Sequence, residues 1–245
     1  MHIGKTKIHV DPGPGALVRS HALSLNPTEL RAIAVTHAHP DHYTDAEVLV
    51  EAMTRGGTEK KGALIGNRTV IDGSDFGGPA ISKYHRSLPR EVISALPGSV
   101  MTVEGIKIEA TKAIHGDPYS IGLRFFTPDG IISYISDTQY FEEQASMYRD
   151  SRVVIEEVTR PGNDRIPHHM CSDDAIKVLR EINPEVALLT HFGMKMISAG
   201  PEKEVRYIGE ASGVRTVAAR VGMIVDIASE IKIRNAKGQK SLDTF

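Results

Sequence analysis

Thr36-His37-Ala38-His39-Pro40-Asp41-His42 puts three imidazoles and a carboxylate within six residues, between the apolar run 31–35 and an amphipathic segment that begins at Tyr43. Packing and solvation seldom cluster imidazole this way, so the stretch reads as a metal site. In His37-x-His39, two rings two residues apart on an extended loop can converge on one cation, and Pro40 delays helix closure. Asp41 and His42 then stand at a helix start and face the same space from another direction. Neutral imidazoles and a carboxylate suit Zn²⁺ or another borderline divalent ion. Four donors this close together serve two cations better than one.

Hydrophobic periodicity outward from this stretch predicts mixed strands and helices. Residues 5–10 alternate as a half-buried strand, 11–15 (DPGPG) is turn chemistry, and 16–25 holds a short helix. Residues 31–35 form a strand that runs directly into the histidines. Ala46, Val48, Leu49, Ala52 and Met53 fall at helical spacing, and Gly56-Gly57 ends that helix. Residues 63–71 read as one or two strands, 72–79 as a glycine-rich loop without a phosphate-cradling pattern, and 92–127 as a run of strands. Pro128-Asp129-Gly130 predicts a hairpin into a strand over 131–135. A helix over 141–148 and a buried strand over 153–155 come next, and Ser172 is the expected N-cap of a helix through Leu179. Residues 186–189 are an apolar strand, 202–211 a helix, 215–218 and 223–227 strands, and the remainder a polar tail. No fixed repeat and no linker-like stretch divides the chain, so one layered α/β domain over residues 1–245 is expected.

At 245 residues the chain can bury a sizeable core, and its net charge of −2 supplies no bulk attraction for nucleic acid. Cys171 stands alone, which excludes an intrachain disulfide and fits a reducing, cytoplasmic location. No apolar run approaches the roughly 20 residues of a membrane span, so no membrane partner is expected.

Three further candidates lie just beyond predicted strands, where functional residues collect: His115, Asp137 and His191. Each is weak alone, but with the six-residue cluster they complete a set. In this order they resemble the metallo-β-lactamase superfamily, whose H-x-H-x-D-H signature stands here as His37, His39, Asp41 and His42. Asp11 in HVDPGPG, His115 in AIHGD, Asp137 in YISDTQ and His191 in LLTHFG match the later motifs. The resemblance implies a four-layer αβ/βα sandwich with a dinuclear site at one edge of the sheets. Members usually carry an earlier strand and a glycine-rich turn before the strand ending at Asp11, so the expectation is either a fold trimmed at its N-terminus or a sequence that starts late. His37, His39 and His115 resemble the ligands of a first metal and Asp41, His42 and His191 those of a second; Asp137 would bridge them and Asp11 would steady the ligands.

The chemistry so implied is hydrolysis assisted by two divalent cations, Zn²⁺ first and Mn²⁺ or Fe²⁺ as alternatives, with Asp41 also holding the nucleophile's proton. His39 stands where the diiron flavoprotein branch has Glu, which favours hydrolysis over redox chemistry. The segment 168–193, HHMCSDDAIKVLREINPEVALLTHFG, is similar to the ribonuclease Z group, with His169 at the position that protonates a leaving alkoxide and Cys171 in place of Ser or Thr. Catalytic roles therefore fall on Asp41 and His169, with His168 as a bystander. Glu156 and Glu157 are read either as orienting His169 or as ordinary strand-end carboxylates. Arg124, Arg160 and Lys195 are candidate phosphate anchors, more simply read as solvated charges. No long insertion could form the arm that clamps transfer RNA, so the expected substrate is a small-molecule or nucleotide phosphodiester, with RNA as a further option and a homodimer compatible with the chain. A carboxylic ester, lactone or thioester hydrolase on the same metals is the alternative, and a non-catalytic metal-binding module the third reading.

Overall fold

A computed structural model describes residues 1–236. One sheet contains β1 (His2–Ile3), β2 (Thr6–Val10), β3 (Ala32–Val35), β4 (Ala63–Asn67) and β5 (Glu91–Ala95), side by side in that order and parallel from β2 to β5. The second contains β6 (Val100–Val103), β7 (Ile106–Lys112), β8 (Ile121–Thr127), β9 (Gly130–Ile135), β10 (Ser151–Glu157), β11 (Val186–Thr190) and β12 (Thr216–Ala218). Its first four strands are antiparallel neighbours, while β9 to β12 pair in parallel in the spatial order β9-β10-β11-β12. A separate hairpin joins β13 (Met223–Ile227) to β14 (Ile231–Asn235). The helices are α1 (Ala16–Ala22), α2 (Pro40–Tyr43), α3 (Ala46–Met53), α4 (Arg68–Ile71), α5 (Lys83–Arg86), α6 (Ser172–Ile182), α7 (Met194–Ala199) and α8 (Pro201–Ser212). Among the described residues, no helix is long and apolar enough to cross a membrane.

Three buried clusters define the layers. Ala32, Ala34 and Ile65 of the first sheet meet Leu123, Phe125 and Val153 of the second. On the outer side of the first sheet, Ile33, Val35 and Leu64 pack on Leu49 and Met53 of α3. On the outer side of the second, Val154 and Leu189 pack on Ile176 and Leu179 of α6 and Ile208 of α8. Three interfaces require four layers, αβ/βα, as the sequence resemblance implies. Successive residues of a strand point to opposite faces, and β3 and β11 are covered on both, so these strands read as continuous apolar runs rather than alternating ones.

Local chemistry corrects several expected elements. The segment 63–71 is a strand followed by one helical turn, because the Asn67 side chain accepts from the Val70 N–H at 2.8 Å and caps α4. Over 141–148 only Ala145–Tyr148 is helical, as a 3₁₀ turn. There the buried Tyr148 hydroxyl bonds Thr111 Oγ1 at 2.6 Å, so tertiary anchoring prevails over helical propensity. The N-cap of α6 is Cys171, not Ser172, whose hydroxyl instead donates to Glu204 at 2.7 Å. Within the expected polar tail, β14 forms because Ile231 and Ile233 pack toward the inter-sheet core; the rest of that tail lies outside the described residues.

Phe125 is completely buried between the sheets. Phe125→Ala should therefore lower the unfolding free energy by about 3–5 kcal/mol in a urea titration.

Candidate metal centre

The ends of β2, β3, β7, β9 and β11 lie at one edge of the paired sheets and deliver Asp11, His37, His115, Asp137 and His191 respectively. His39 follows β3 as the N-cap of α2, and Pro40 occupies the first helical position, where its missing N–H is no loss. That one turn of helix carries Asp41 and His42 back over the strand ends. Every site residue expected from the sequence is brought together here.

Two donor groups share a carboxylate. His37, His39, His115 and Asp137 have ligand atoms all within 4.8 Å of one another, as do His42, Asp137, Glu157 and His191. In the first group, His39 Nδ1 lies 2.9 Å from His115 Nε2, and Asp137 Oδ2 is 3.6 Å from His115 Nε2 and 3.8 Å from His37 Nε2. In the second, His42 Nε2 and His191 Nε2 are 3.3 Å apart, and Asp137 faces both, at 3.5 Å from His42 Nε2 and 3.4 Å from His191 Nδ1. Asp41 Oδ2 is 3.3 Å from His191 Nε2 and 3.5 Å from His42 Nε2, at the more exposed rim.

The surrounding hydrogen bonds decide which ring nitrogens face inward. Asp11 accepts from the Thr36 N–H (2.7 Å), the Thr36 hydroxyl (2.7 Å) and His42 Nδ1–H (3.0 Å). Because the Thr36 hydroxyl spends its proton on Asp11, its oxygen is left to accept from His37 Nδ1–H at 3.1 Å. His115 Nδ1–H donates to the His168 carbonyl at 2.9 Å. His37 and His115 thus turn an Nε2 lone pair toward the cluster, and His42 turns its Nε2 the same way. His37 Nε2 and Asp137 Oδ1 are buried and have no hydrogen-bond partner among the described residues. Unpartnered buried polar atoms are costly, and cation ligation satisfies them, so the residues present fit a metal.

Electrostatics separates these groups. Burial and the neighbouring His42 and His115 push the His37 pKa down to about 2, and burial takes His115 to about 4, so both rings are neutral at pH 7. His191 and His42 hold Asp41 well below the usual carboxylate range. Burial opposes charge on Asp137, but Glu157 and His42 beside it keep its pKa low. His42 is also desolvated, yet Asp11, Asp137 and Asp41 together raise it above its ordinary value.

Sequence reasoning missed Tyr134 and Asp117 and gave Glu157 a different role, as a possible orienting group for His169. Glu157 is buried, and burial followed by the Asp137 charge raises its pKa well above the carboxylate range. The Tyr134 hydroxyl sits between Glu157 Oε1 and Asp11 Oδ2, the latter 2.9 Å away. Asp117 is fully buried and accepts from the Ala38 N–H (3.1 Å), Asn67 Nδ2 (2.7 Å), the Thr69 hydroxyl (2.8 Å) and the Tyr119 N–H (3.0 Å). It thereby fixes the backbone between His37 and His39. His169 Nδ1 is 3.2 Å from Thr159 Oγ1 and 3.7 Å from Asp137 Oδ1, so Thr159, rather than Glu156 or Glu157, positions that ring. His168 is exposed and serves through its backbone carbonyl. Cys171 is buried, with Sγ 3.2 Å from Asp174 Oδ2 and its thiol pushed up to about 11 by burial, as expected of a small packed residue. The three suggested phosphate anchors are already paired: Arg160 and Lys195 with Asp164, at 3.1 and 2.9 Å, and Arg124 with Glu109, at 3.2 Å.

Comparison with known proteins places this geometry. A family model described as a β-lactamase superfamily domain matches residues 6–192, and the chain belongs to that superfamily, in its metallo-β-lactamase form. It is 38% identical over 229 residues to an uncharacterized protein of Methanocaldococcus jannaschii, covering 93% of this chain and 85% of the relative. A metal-dependent hydrolase of Thermoplasma acidophilum is 26% identical, covering 82% and 83%. A ribonuclease Z of Pyrobaculum neutrophilum is 23% identical, covering 74% and 75%. Among solved structures, the metallo-β-lactamase fold protein YhfI of Bacillus subtilis superposes with TM-score 0.73 at 21% identity, covering 89% and 86%. A diphosphatase of the PhnP family superposes with TM-score 0.66 at 17% identity, covering 89% and 79%. By family the chain is thus a metal-dependent hydrolase, and the solved structures share its fold.

Two outcomes follow from the hydrogen-bond pattern. Asp11→Asn should weaken Zn²⁺ affinity by about 10–100-fold in competition with a chromophoric chelator, since it disturbs the partners that orient His37 and His42. Because His42 has a raised pKa, ligation at pH 7 must displace its proton. Calorimetric Zn²⁺ titrations in buffers of different ionisation enthalpy should therefore show release of about one proton at this ring, and affinity should fall as pH falls.

Proposed function

We propose that the protein is a dinuclear phosphodiesterase acting on a small or nucleotide phosphodiester. His37, His39 and His115 would hold one cation, Asp41, His42 and His191 the other, and Asp137 both. Zn²⁺ suits these donors first, and Mn²⁺ or Fe²⁺ fit the same set. Divalent cations, when bound, acidify water and polarise the scissile group. The chain's own contribution is positional: Asp41, at the rim and ionised, accepts the water proton.

The observation that carries the phosphodiester reading is His169. It stands beside the donor groups, its ring 5.0 Å from that of His115, held by Thr159, with its side chain 23% exposed and thus reachable by substrate. Expulsion of an alkoxide from phosphorus needs a proton donor, and this ring is placed to be one. The pairing of Arg160, Lys195 and Arg124 with carboxylates leaves none of these side chains as an open basic surface for a folded RNA, which supports a small substrate. The ribonuclease Z and diphosphatase similarities support hydrolysis at phosphorus.

A second reading, hydrolysis of a carboxylic ester, lactone or thioester, rests on a separate feature. A cleft of about 600 Å³ with apolar walls, including Ile8, Val10, Ile155 and Leu188, opens beside Asp41, His42 and His191 and could take an acyl chain. One variant separates the two. His169→Ala should keep its metal content and lose about 10²–10⁴ in kcat toward a dinucleoside monophosphate, whose leaving alkoxide needs the proton, whereas an ester hydrolase would keep full turnover of a thioester panel. Metal analysis finding less than about one cation per chain after Zn²⁺ loading would overturn the dinuclear assignment.

A further inference from the structure

On the side of His169 away from the donor groups lies a second cavity, of about 350 Å³, bordered by Gln139, Tyr140, Arg165, Pro167 and His169, with Asp174 at its base. It is at the small end of ligand sites, which span roughly 300–1,000 Å³. His169 is the wall it shares with the metal centre: Nδ1 faces Asp137, and Nε2 makes no hydrogen bond among the described residues. The turn bearing His169 is firmly held, since Ile166 pairs with His169 as an isolated antiparallel bridge and His168 adopts φ 68°.

The walls specify what fits. Tyr140 supplies an aromatic ring and Gln139 an amide. Arg165 approaches the cavity with its charge already compensated, because Nη2 and Nε bond Asp174 at 2.7 and 3.2 Å. Lys177 Nζ, 4.8 Å over the Tyr140 ring, also lies 3.6 Å from Asp174. A site of paired charges, an aromatic face and amide hydrogen bonding suits a neutral planar group better than a second phosphate.

We propose that this cavity is the leaving-group subsite and that it receives a nucleoside, its base against Tyr140. The inference rests on the phosphodiesterase reading. The water oxygen bonds phosphorus as the bond from phosphorus to the nucleoside oxygen breaks with its electron pair. That oxygen takes a proton from the His169 ring, and the water proton passes to Asp41. The expelled oxygen must lie within reach of His169, so the group carrying it belongs on the His169 side, where the cavity is.

The test is an NMR titration of Zn²⁺-loaded protein with adenosine and, separately, with inorganic phosphate. Tyr140→Ala should weaken adenosine binding about tenfold, the scale of one lost base–aromatic stack, while Tyr140→Phe retains it and phosphate binding is unchanged in both. Unaltered adenosine affinity in Tyr140→Ala, an equal loss for phosphate, or no adenosine binding to the wild type would each overturn the subsite. Turnover of bis(p-nitrophenyl) phosphate by the same wild-type preparation tests the parent reading separately. Turnover with an unaffected Tyr140→Ala removes the subsite alone, and no turnover with any loaded metal removes the phosphodiesterase reading itself.

Discussion

The site depends first on Asp11. One carboxylate takes four donors: two from Thr36, one from His42 and one from Tyr134. Thr36 and His42 belong to the chain leaving the first sheet, while Tyr134 belongs to β9 of the second. Asp11 therefore ties the two sheets together at the edge where the histidines converge. It also fixes the proton positions of two rings, His42 directly and His37 through the Thr36 hydroxyl. Its backbone is left-handed, φ 47°, as are those of His168 (φ 68°) and His191 (φ 59°). Such conformations cost free energy at non-glycine residues and persist where the surroundings over-determine them. Gly13 completes the turn, since a Cβ there would run into the Asp41 carbonyl.

What was legible in the sequence follows from how local each signal is. His37 to His42 announce themselves because their chemistry is concentrated in one turn. His115, Asp137 and His191 are single residues, readable because each follows a strand whose apolar pattern is plain. Asp11 and His169 came only from the family resemblance, through the motifs around them. Glu157, Tyr134 and Asp117 carry no such mark. Glu157 and Tyr134 lie within strands and act across the sheet interface, and Asp117 acts through backbone and side chains as distant as Ala38 and Asn67. Their importance arises from contacts between segments far apart in sequence, which periodicity does not report. The strand β14 was missed for the opposite reason: its alternation in IKIRN is present, but charged neighbours make it resemble a tail.

Glu156 and Glu157 show how strand alternation assigns opposite roles to adjacent identical residues. Both are buried, and burial raises both pKa values well above the carboxylate range. Glu156 faces the layer of α6, with neither carboxyl oxygen hydrogen-bonded among the described residues, whereas Glu157 faces the donor groups. Glu157 lies among the same donor atoms as His42, Asp137 and His191, so without a metal both burial and the Asp137 charge oppose a second carboxylate charge beside Asp137. A dication bound there would reverse that balance, because a nearby positive charge favours the ionised form, and Glu157 thereby links its proton to occupancy of the site.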